Sequence, residues 1–220
     1  MNFEQARFNM VEQQIRTWGV MDQNVLDLLF MVKREEFVPP AYRIFAFADT
    51  EIPLGYGNNM LSPKVEARIL QALQIRKTAK VLEIGTGSGY LAALLAAHAE
   101  HVVSVEIVPE LAELASINLR HYGIGNVTVA TGDGSHGWQQ SQGEVRYDAI
   151  VVTGAIYLLP RELLAQLKPG GRLFVFVGKE SVTEAQLITR TGENGYHAVS
   201  LFETLAKPLI NALQPNCFSF

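Results

Sequence analysis

Only one cysteine, Cys217, occurs among the 220 residues, so an internal disulfide is excluded and the thiol usage fits a reducing cytoplasm. Long apolar runs are missing as well. Glu4, Arg7 and Glu12 break up the N-terminal stretch, which therefore does not read as a signal peptide, and no later run reaches membrane-spanning length. There is no basic run. With 18 Lys and Arg against 22 Asp and Glu the formal net charge is −4, so neither a nucleic-acid nor a membrane partner is expected. The five histidines, His98, His101, His121, His136 and His197, lack metal-ligand spacing and have no cysteine cluster beside them. Cys217 has no basic neighbour in sequence to make it a nucleophile. What remains is 48% hydrophobic and 18% charged, which suits one globular core.

The most informative stretch runs from Lys80 to Tyr90. Val81, Leu82 and Ile84 form a short apolar run of the kind found in buried parallel strands. Gly85, Gly87 and Gly89 follow, and Leu91 to Ala97 is helical in composition. Strand, glycine turn and helix open a nucleotide-binding βαβ unit, where a Cβ would hold a ligand away from the amides at the helix start. The spacing is not that of the dinucleotide fingerprint G-x-G-x-x-G, because Tyr90 stands in the place of its last glycine. Glu83 lies two residues before the first glycine. A carboxylate there repels a pyrophosphate and suits the cationic amino-acid end of S-adenosylmethionine (SAM). The next strand, Val102 to Val105, ends at Glu106, placed to accept hydrogen bonds from both ribose hydroxyls. The competing reading is a plain βα turn and a solvated strand end.

Taken in order, Phe3 to Arg16 reads as a helix with an apolar stripe of Phe3, Ala6, Met10, Val11 and Ile15. Asp22 is placed to cap a second helix carrying Val25, Leu26, Leu29 and Val32, and Val38-Pro39-Pro40 ends that pattern. Residues 41–61 are rich in aromatics, Gly and Pro, a long segment of the sort that serves function. Ser62 and Pro63 then supply an N-cap and a first-turn proline for a helix through Leu73. From Lys80 onward, strands at 80–84, 102–106, 127–131, 147–153 and 172–178 alternate with helices at 89–98, 109–122 and 160–167. Leu167 to Gly171 reads as a helix stop and turn. The tail, 185–191 and 197–205, reads as two more strands around Gly192-Glu193-Asn194-Gly195. The expectation is an α/β fold, a doubly wound, mostly parallel, seven-stranded Rossmann-like sheet in a single domain 1–220. An N-terminal helical and loop region, 1–78, precedes the α/β core, 79–220.

Two further places fall on the same sheet edge. Gly132-Asp133-Gly134 follows the third core strand, and Asp133 could take the exocyclic amine of an adenine or simply make a turn. Thr153 ends the fourth strand and could touch a ligand or cap its own turn. His136 is the histidine nearest this edge and reads as a surface or supporting residue, and Trp138 as a packing residue.

Met10 to Arg16, Arg34-Glu35-Glu36-Phe37-Val38-Pro39, Val81 to Tyr90, Gly132-Asp133-Gly134 and Asp148 to Thr153 together resemble the protein-L-isoaspartate O-methyltransferase family, in its order and spacing. The resemblance implies a class I SAM-dependent methyltransferase whose N-terminal extension closes over the site. It implies methyl transfer to the free α-carboxylate of isoaspartyl residues in a protein or peptide, a repair reaction. Carried over by motif, Glu83, Gly85, Gly87, Ser88, Gly89, Glu106 and Asp133 would line the SAM site, and Thr86, Gly132, Gly134 and Thr153 stand beside them as candidates for the same site. The family's substrate loop reads close to Gly-Gln-Thr-Ile-Ser-Gln-Pro, whereas this chain has Gly57-Asn58-Asn59-Met60-Leu61-Ser62-Pro63. Asn58, Asn59 and Ser62 are then the donors left for the acceptor carboxylate. The tail departs too, with Leu201-Phe202-Glu203-Thr204-Leu205-Ala206-Lys207-Pro208-Leu209 where the family has a Phe-Val-Pro-Leu-like stretch near its last strand. Other readings are SAM chemistry on a different acceptor and SAM binding without catalysis. A nicotinamide dehydrogenase is disfavoured by Tyr90.

Overall fold

The computed structural model describes residues 2–139, 145–179, 182–193 and 195–214; Cys217 and Asn194 lie outside them. The chain starts with α1 (Phe3–Asn9), whose Asn2 cap accepts the Gln5 N–H. The expected helix to Arg16 does not stay α. It becomes a π-helix over Met10–Ile15 and a 3-10 turn over Arg16–Trp18. The wider i to i+5 winding brings Met10 and Ile15, five residues apart, to the same buried side. Asp22 caps α2 (Gln23–Met31) through the Asn24 N–H as expected. The segment 41–61 holds a 3-10 helix, Pro40–Phe45, and an unforeseen antiparallel hairpin of β1 (Ile52–Gly55) and β2 (Asn58–Met60). Next comes α3 (Pro63–Leu73), with Ser62 at the N-cap position but no side-chain capping bond, which corrects the expected role of its hydroxyl.

The core elements follow as β3 (Lys80–Ile84), α4 (Tyr90–Ala96), β4 (His101–Glu106), α5 (Pro109–His121), β5 (Val127–Thr131), β6 (Tyr147–Ile156), α6 (Arg161–Ala165), β7 (Leu167–Lys179), β8 (Val182–Arg190) and β9 (Tyr196–Thr204). Their order in the sheet is β5-β4-β3-β6-β7-β8-β9, parallel from β5 to β7 and antiparallel beyond. The doubly wound, mostly parallel seven-stranded sheet is therefore observed. One boundary moves: α6 ends at Ala165 and Leu167 already pairs with Tyr147, so the expected Pro-Gly turn is a break in register inside β7.

The chain winds outward from β3 to β5, then crosses back to lay β6 on the other side of β3. The carboxyl ends of β3 and β6 thus part at a switch point, where open α/β sheets take ligands. Alternation along β3 decides what lies beneath it. Leu82 and Ile84 pack with Val103, Ile150 and Leu163 on one face. Val81 faces the other way, into the cluster formed by α4, Met10, Leu26 and Phe37. Glu83 shares the parity of Val81, so the pleat carries a carboxylate into the covered face, where it is fully buried. Every residue of α4 is buried, because that helix lies between the sheet and the N-terminal extension. The extension is pinned by two buried ion pairs, Arg7–Glu35 and Arg34–Glu66, and by Phe37 packed against Tyr90 and Tyr122.

Candidate active site

The glycine loop after β3 is shaped by what lies behind it. Gly85 has φ +94°, and a Cβ there would stand 2.1 Å from Thr153 Oγ1. That hydroxyl is shared between the carbonyls of Ile84 at 3.0 Å and Gly85 at 2.9 Å, fastening β6 to β3 across the switch point. Thr153 therefore serves the turn, and its side chain also lines the cleft. Gly85→Ala should lower stability by at least about 2 kcal/mol and weaken ligand binding, because it adds left-handed strain to a displaced Thr153. Adding Thr153→Ala relieves the clash but not the strain, so thermal unfolding of the double variant should show partial recovery.

Glu106 is held as a strand-end acceptor. Its Oε2 accepts the Gly87 N–H at 3.0 Å and its Oε1 the Val108 N–H at 3.1 Å. Each oxygen keeps a lone pair for a hydroxyl in the cleft. Glu83 is different. Ser104 Oγ donates to its Oε2 and lies 2.6 Å from Thr86 Oγ1, while Oε1 is buried without a partner among the described residues. Burial pushes its pKa up to about 8, against the Ser104 hydrogen bond and with help from the nearby Glu106 and Glu66. A buried carboxylate oxygen with no donor is a ready site for a cation.

Two connected lobes run along this edge. The inner one, about 340 Å³ with its open mouth included, is lined by Glu83, Thr86, Ser88 and Glu66. The outer one, about 770 Å³ on the same measure, is lined by Glu106, Ile107 and the Gly132–Ser135 turn. Gly85, Gly87, Asn59, Leu61 and Thr153 line both. In the turn, Asp133 Oδ1 accepts the Ser135 N–H at 2.8 Å, and Oδ2 accepts Asn211 Nδ2 at 2.9 Å. Partial burial raises the Asp133 pKa, but these hydrogen bonds and nearby His136 outweigh it and leave the pKa lowered. Trp138 is a packing residue as expected, since its ring stands 2.7 Å from where a Cβ on Gly132 would lie. Gly134 sits as closely over Ile84. Gly89 caps α4 behind the loop.

The hairpin and the C-terminal segment close the outer lobe. Asn58 and Asn59 line it; Asn59 Nδ2 donates to Glu51 Oε2 at 2.7 Å, and Asn58 Nδ2 reaches the Tyr56 carbonyl at 3.3 Å. Ser62 does not join them. It is buried where the chain turns into α3 and lines neither lobe, so its expected place among the donors is corrected. Opposite the hairpin, residues 207–209 pair with the end of β6: Ala155 N–H donates to the Lys207 carbonyl, and Leu209 N–H to the Ala155 carbonyl, each at 2.7 Å. Lys207 Nζ donates to the Gly57 carbonyl at 2.7 Å, so this strap ties the hairpin at one end and Asp133 at the other.

Glu51, Lys207, Leu209 and Asn211 are site residues that the sequence reading missed. One signal was available. If β7 points toward the ligand edge and two antiparallel strands follow, β9 points there too, and the residues after it must arrive at the cleft.

A family model described as protein-L-isoaspartate(D-aspartate) O-methyltransferase (PCMT) matches residues 5–211. The chain belongs to this family. Its match covers the N-terminal extension, hairpin and strap as well as the glycine loop. Among PCMT relatives, the protein-L-isoaspartate O-methyltransferase of Gloeobacter violaceus is 44% identical over 183 residues, 83% of this chain and 88% of that one. Protein-L-isoaspartate O-methyltransferase 1 of Rhodopseudomonas palustris is 40% identical over 210 residues, 95% and 84% of the two chains. A solved protein-L-isoaspartate O-methyltransferase superposes with a TM-score of 0.79 at 27% identity, covering 92% of this chain and 65% of its own. A Plasmodium falciparum structure described as a PCMT, in complex with S-adenosyl-L-homocysteine, shares the fold with a TM-score of 0.80 at 19% identity over 95% and 98% of the chains.

Proposed function

We propose that this PCMT-family chain transfers a methyl group from SAM to the α-carboxylate of L-isoaspartyl residues in damaged proteins. The observation that carries the donor assignment is the buried Glu83 oxygen without a partner, facing the inner lobe beside the glycine loop. It fits the α-ammonium of SAM. Thr86 and Ser88 lie beside it, Gly85, Gly87 and Gly89 allow close approach of the backbone, and Glu106 is placed for the ribose. Gly132, Asp133 and Gly134 border the adenine end, with Thr153 between the lobes. Residues 1–78 and 79–220 act as one domain, since Met10, Leu26 and Phe37 share an apolar cluster with Tyr90 and Phe174.

When bound, SAM supplies a methyl group on a sulfonium, an activated leaving group. The acceptor carboxylate is already ionised near neutral pH, so no residue of the chain has to remove a proton. The protein's work is to fix the line of approach and exclude water, which is worth several kcal/mol. Leu61 and Leu209 present apolar surface to the cleft, and Asn58 and Asn59 present amides. The methyl ester can then cyclise to a succinimide with loss of methanol, and hydrolysis of the ring by water can give aspartate. A cytoplasmic location goes with repair of this kind, and no helix among the described residues is long and apolar enough to cross a membrane.

The test is methyl transfer from labelled SAM to an isoaspartyl peptide and to its normal aspartyl counterpart. Label should enter the isoaspartyl peptide alone, as a base-labile ester. Leu61 in the cleft and the Glu51 carboxylate on Asn59 favour one alternative, a different methyl acceptor at the same SAM site. Tight SAM binding with neither peptide labelled, but with label entering another component of a cell lysate, would select it.

A further inference from the structure

The outer lobe has an electrostatic problem. Its carboxylates are Glu51, Glu106 and Asp133, and an acceptor carboxylate would add a fourth negative charge. One amide hydrogen of Asn59 is already spent on Glu51, and Asn58 leans toward Tyr56. Among the described residues, Lys207 is the one Lys or Arg side chain lining either lobe.

Its placement is fixed from two directions. The Lys207 carbonyl is held by the Ala155 N–H at the end of β6, and its Nζ reaches the Gly57 carbonyl at the hairpin turn. The side chain thus bridges strap and hairpin while lining the outer lobe. The bond to Gly57 uses one of three ammonium hydrogens and leaves two for an acceptor oxygen. That bond lies at the hairpin turn, next in sequence to Asn58 and Asn59.

Resting on the reading of this chain as a carboxyl methyltransferase, we infer that Lys207 binds the acceptor carboxylate and selects ionised acceptors. It does so with a point charge from the strap, opposite a loop that offers amides and Leu61 where the family pattern carries hydroxyls. The charge also offsets Glu51, so that an anion can enter beside it.

The experiment is calorimetric binding of an isoaspartyl peptide to the enzyme saturated with S-adenosyl-L-homocysteine, in which no turnover occurs. A second peptide has the isoaspartyl α-carboxyl converted to the amide. The wild-type complex should bind the acid about tenfold more tightly than the amide. Lys207→Gln keeps a donor for the Gly57 carbonyl but has no charge. It should bind both peptides alike, at the wild-type affinity for the amide, with S-adenosyl-L-homocysteine affinity unchanged. Lys207→Arg should restore most of the preference. If Lys207→Gln still prefers the acid as the wild type does, Lys207 is only a latch and the inference is overturned while the proposed function stands. If the wild-type complex binds neither peptide, both readings fall.

Discussion

Arg34→Met is expected to cost about 3–5 kcal/mol of folding stability, the range for removing one partner of a buried ion pair. Arg34 is 1% exposed, and all three of its nitrogens are committed. Nη1 pairs with Glu66, Nε donates to the Ala46 carbonyl at 2.9 Å, and Nη2 donates to the Leu61 carbonyl at 2.7 Å. The guanidinium also lies 5.1 Å from the centre of the Tyr90 ring, the first residue of the helix after the glycine loop. One side chain therefore joins the N-terminal extension, the acceptor hairpin and the cofactor loop. Methionine leaves Glu66 buried with no cation, and burial already pushes that carboxyl's pKa up against the pull of Arg34. Adding Glu66→Leu removes the stranded carboxyl and should return roughly half the loss in urea unfolding. It leaves the Leu61 carbonyl without its donor, so KM for the acceptor should stay raised in both variants. Arg34→Lys should rescue poorly, since an ammonium cannot aim at three partners spread around a planar fork. Recovery of full acceptor affinity in the double variant would contradict this account of the hairpin.

Much of this arrangement was legible in the chain because strong local signals coincided with it. The run from Val81 to Gly89 is at once a buried strand, a left-handed turn and a helix start, and all three signals fall within nine residues. Glu106, Asp133 and Thr153 were legible for the same reason, since parallel strands deliver their ends to one edge. What escaped depends on long-range partners. The π winding at Met10–Ile15 answers to packing, not to helix propensity. The hairpin around Tyr56 and Gly57 lacks a clean alternating pattern, and only its pairing with Glu51 shows that Asn59 is not a free donor. Ser62 has the composition of a cap and donor, yet its hydroxyl serves neither use. The strap was hardest to foresee: Lys207 and Asn211 meet partners 150 and 78 residues away.

Glu83 should make SAM binding pH-dependent and put binding in conflict with stability. In the free protein its carboxyl has a pKa of about 8, chiefly through burial, so most copies are protonated at pH 7. An ammonium beside the unpartnered oxygen favours the carboxylate, so the pKa falls in the complex and binding expels a proton. Calorimetry in buffers of different ionisation enthalpy should find close to one proton released at pH 7. Affinity should climb as pH rises from 6 to 8, by up to tenfold per unit. Above about 8 it should fall again, because the ligand's own α-amino group, ordinarily with a pKa of 7.7–8.0, loses its charge. Stability moves the other way. A carboxyl whose folded pKa lies above its unfolded value of 4.5 holds its full stabilisation below pH 4.5. That contribution drains away up to about pH 8, at about 1.4 kcal/mol per unit. Glu83→Gln keeps the shape and can still accept from Ser104, so at pH 8 the free variant should melt several degrees higher than the wild type. Its SAM affinity should drop on the order of a hundredfold at the same pH and lose the rise between pH 6 and 8. A variant that binds SAM with the wild-type pH profile would show that the ammonium sits elsewhere, and the orientation of the ligand along the two lobes would have to be reversed.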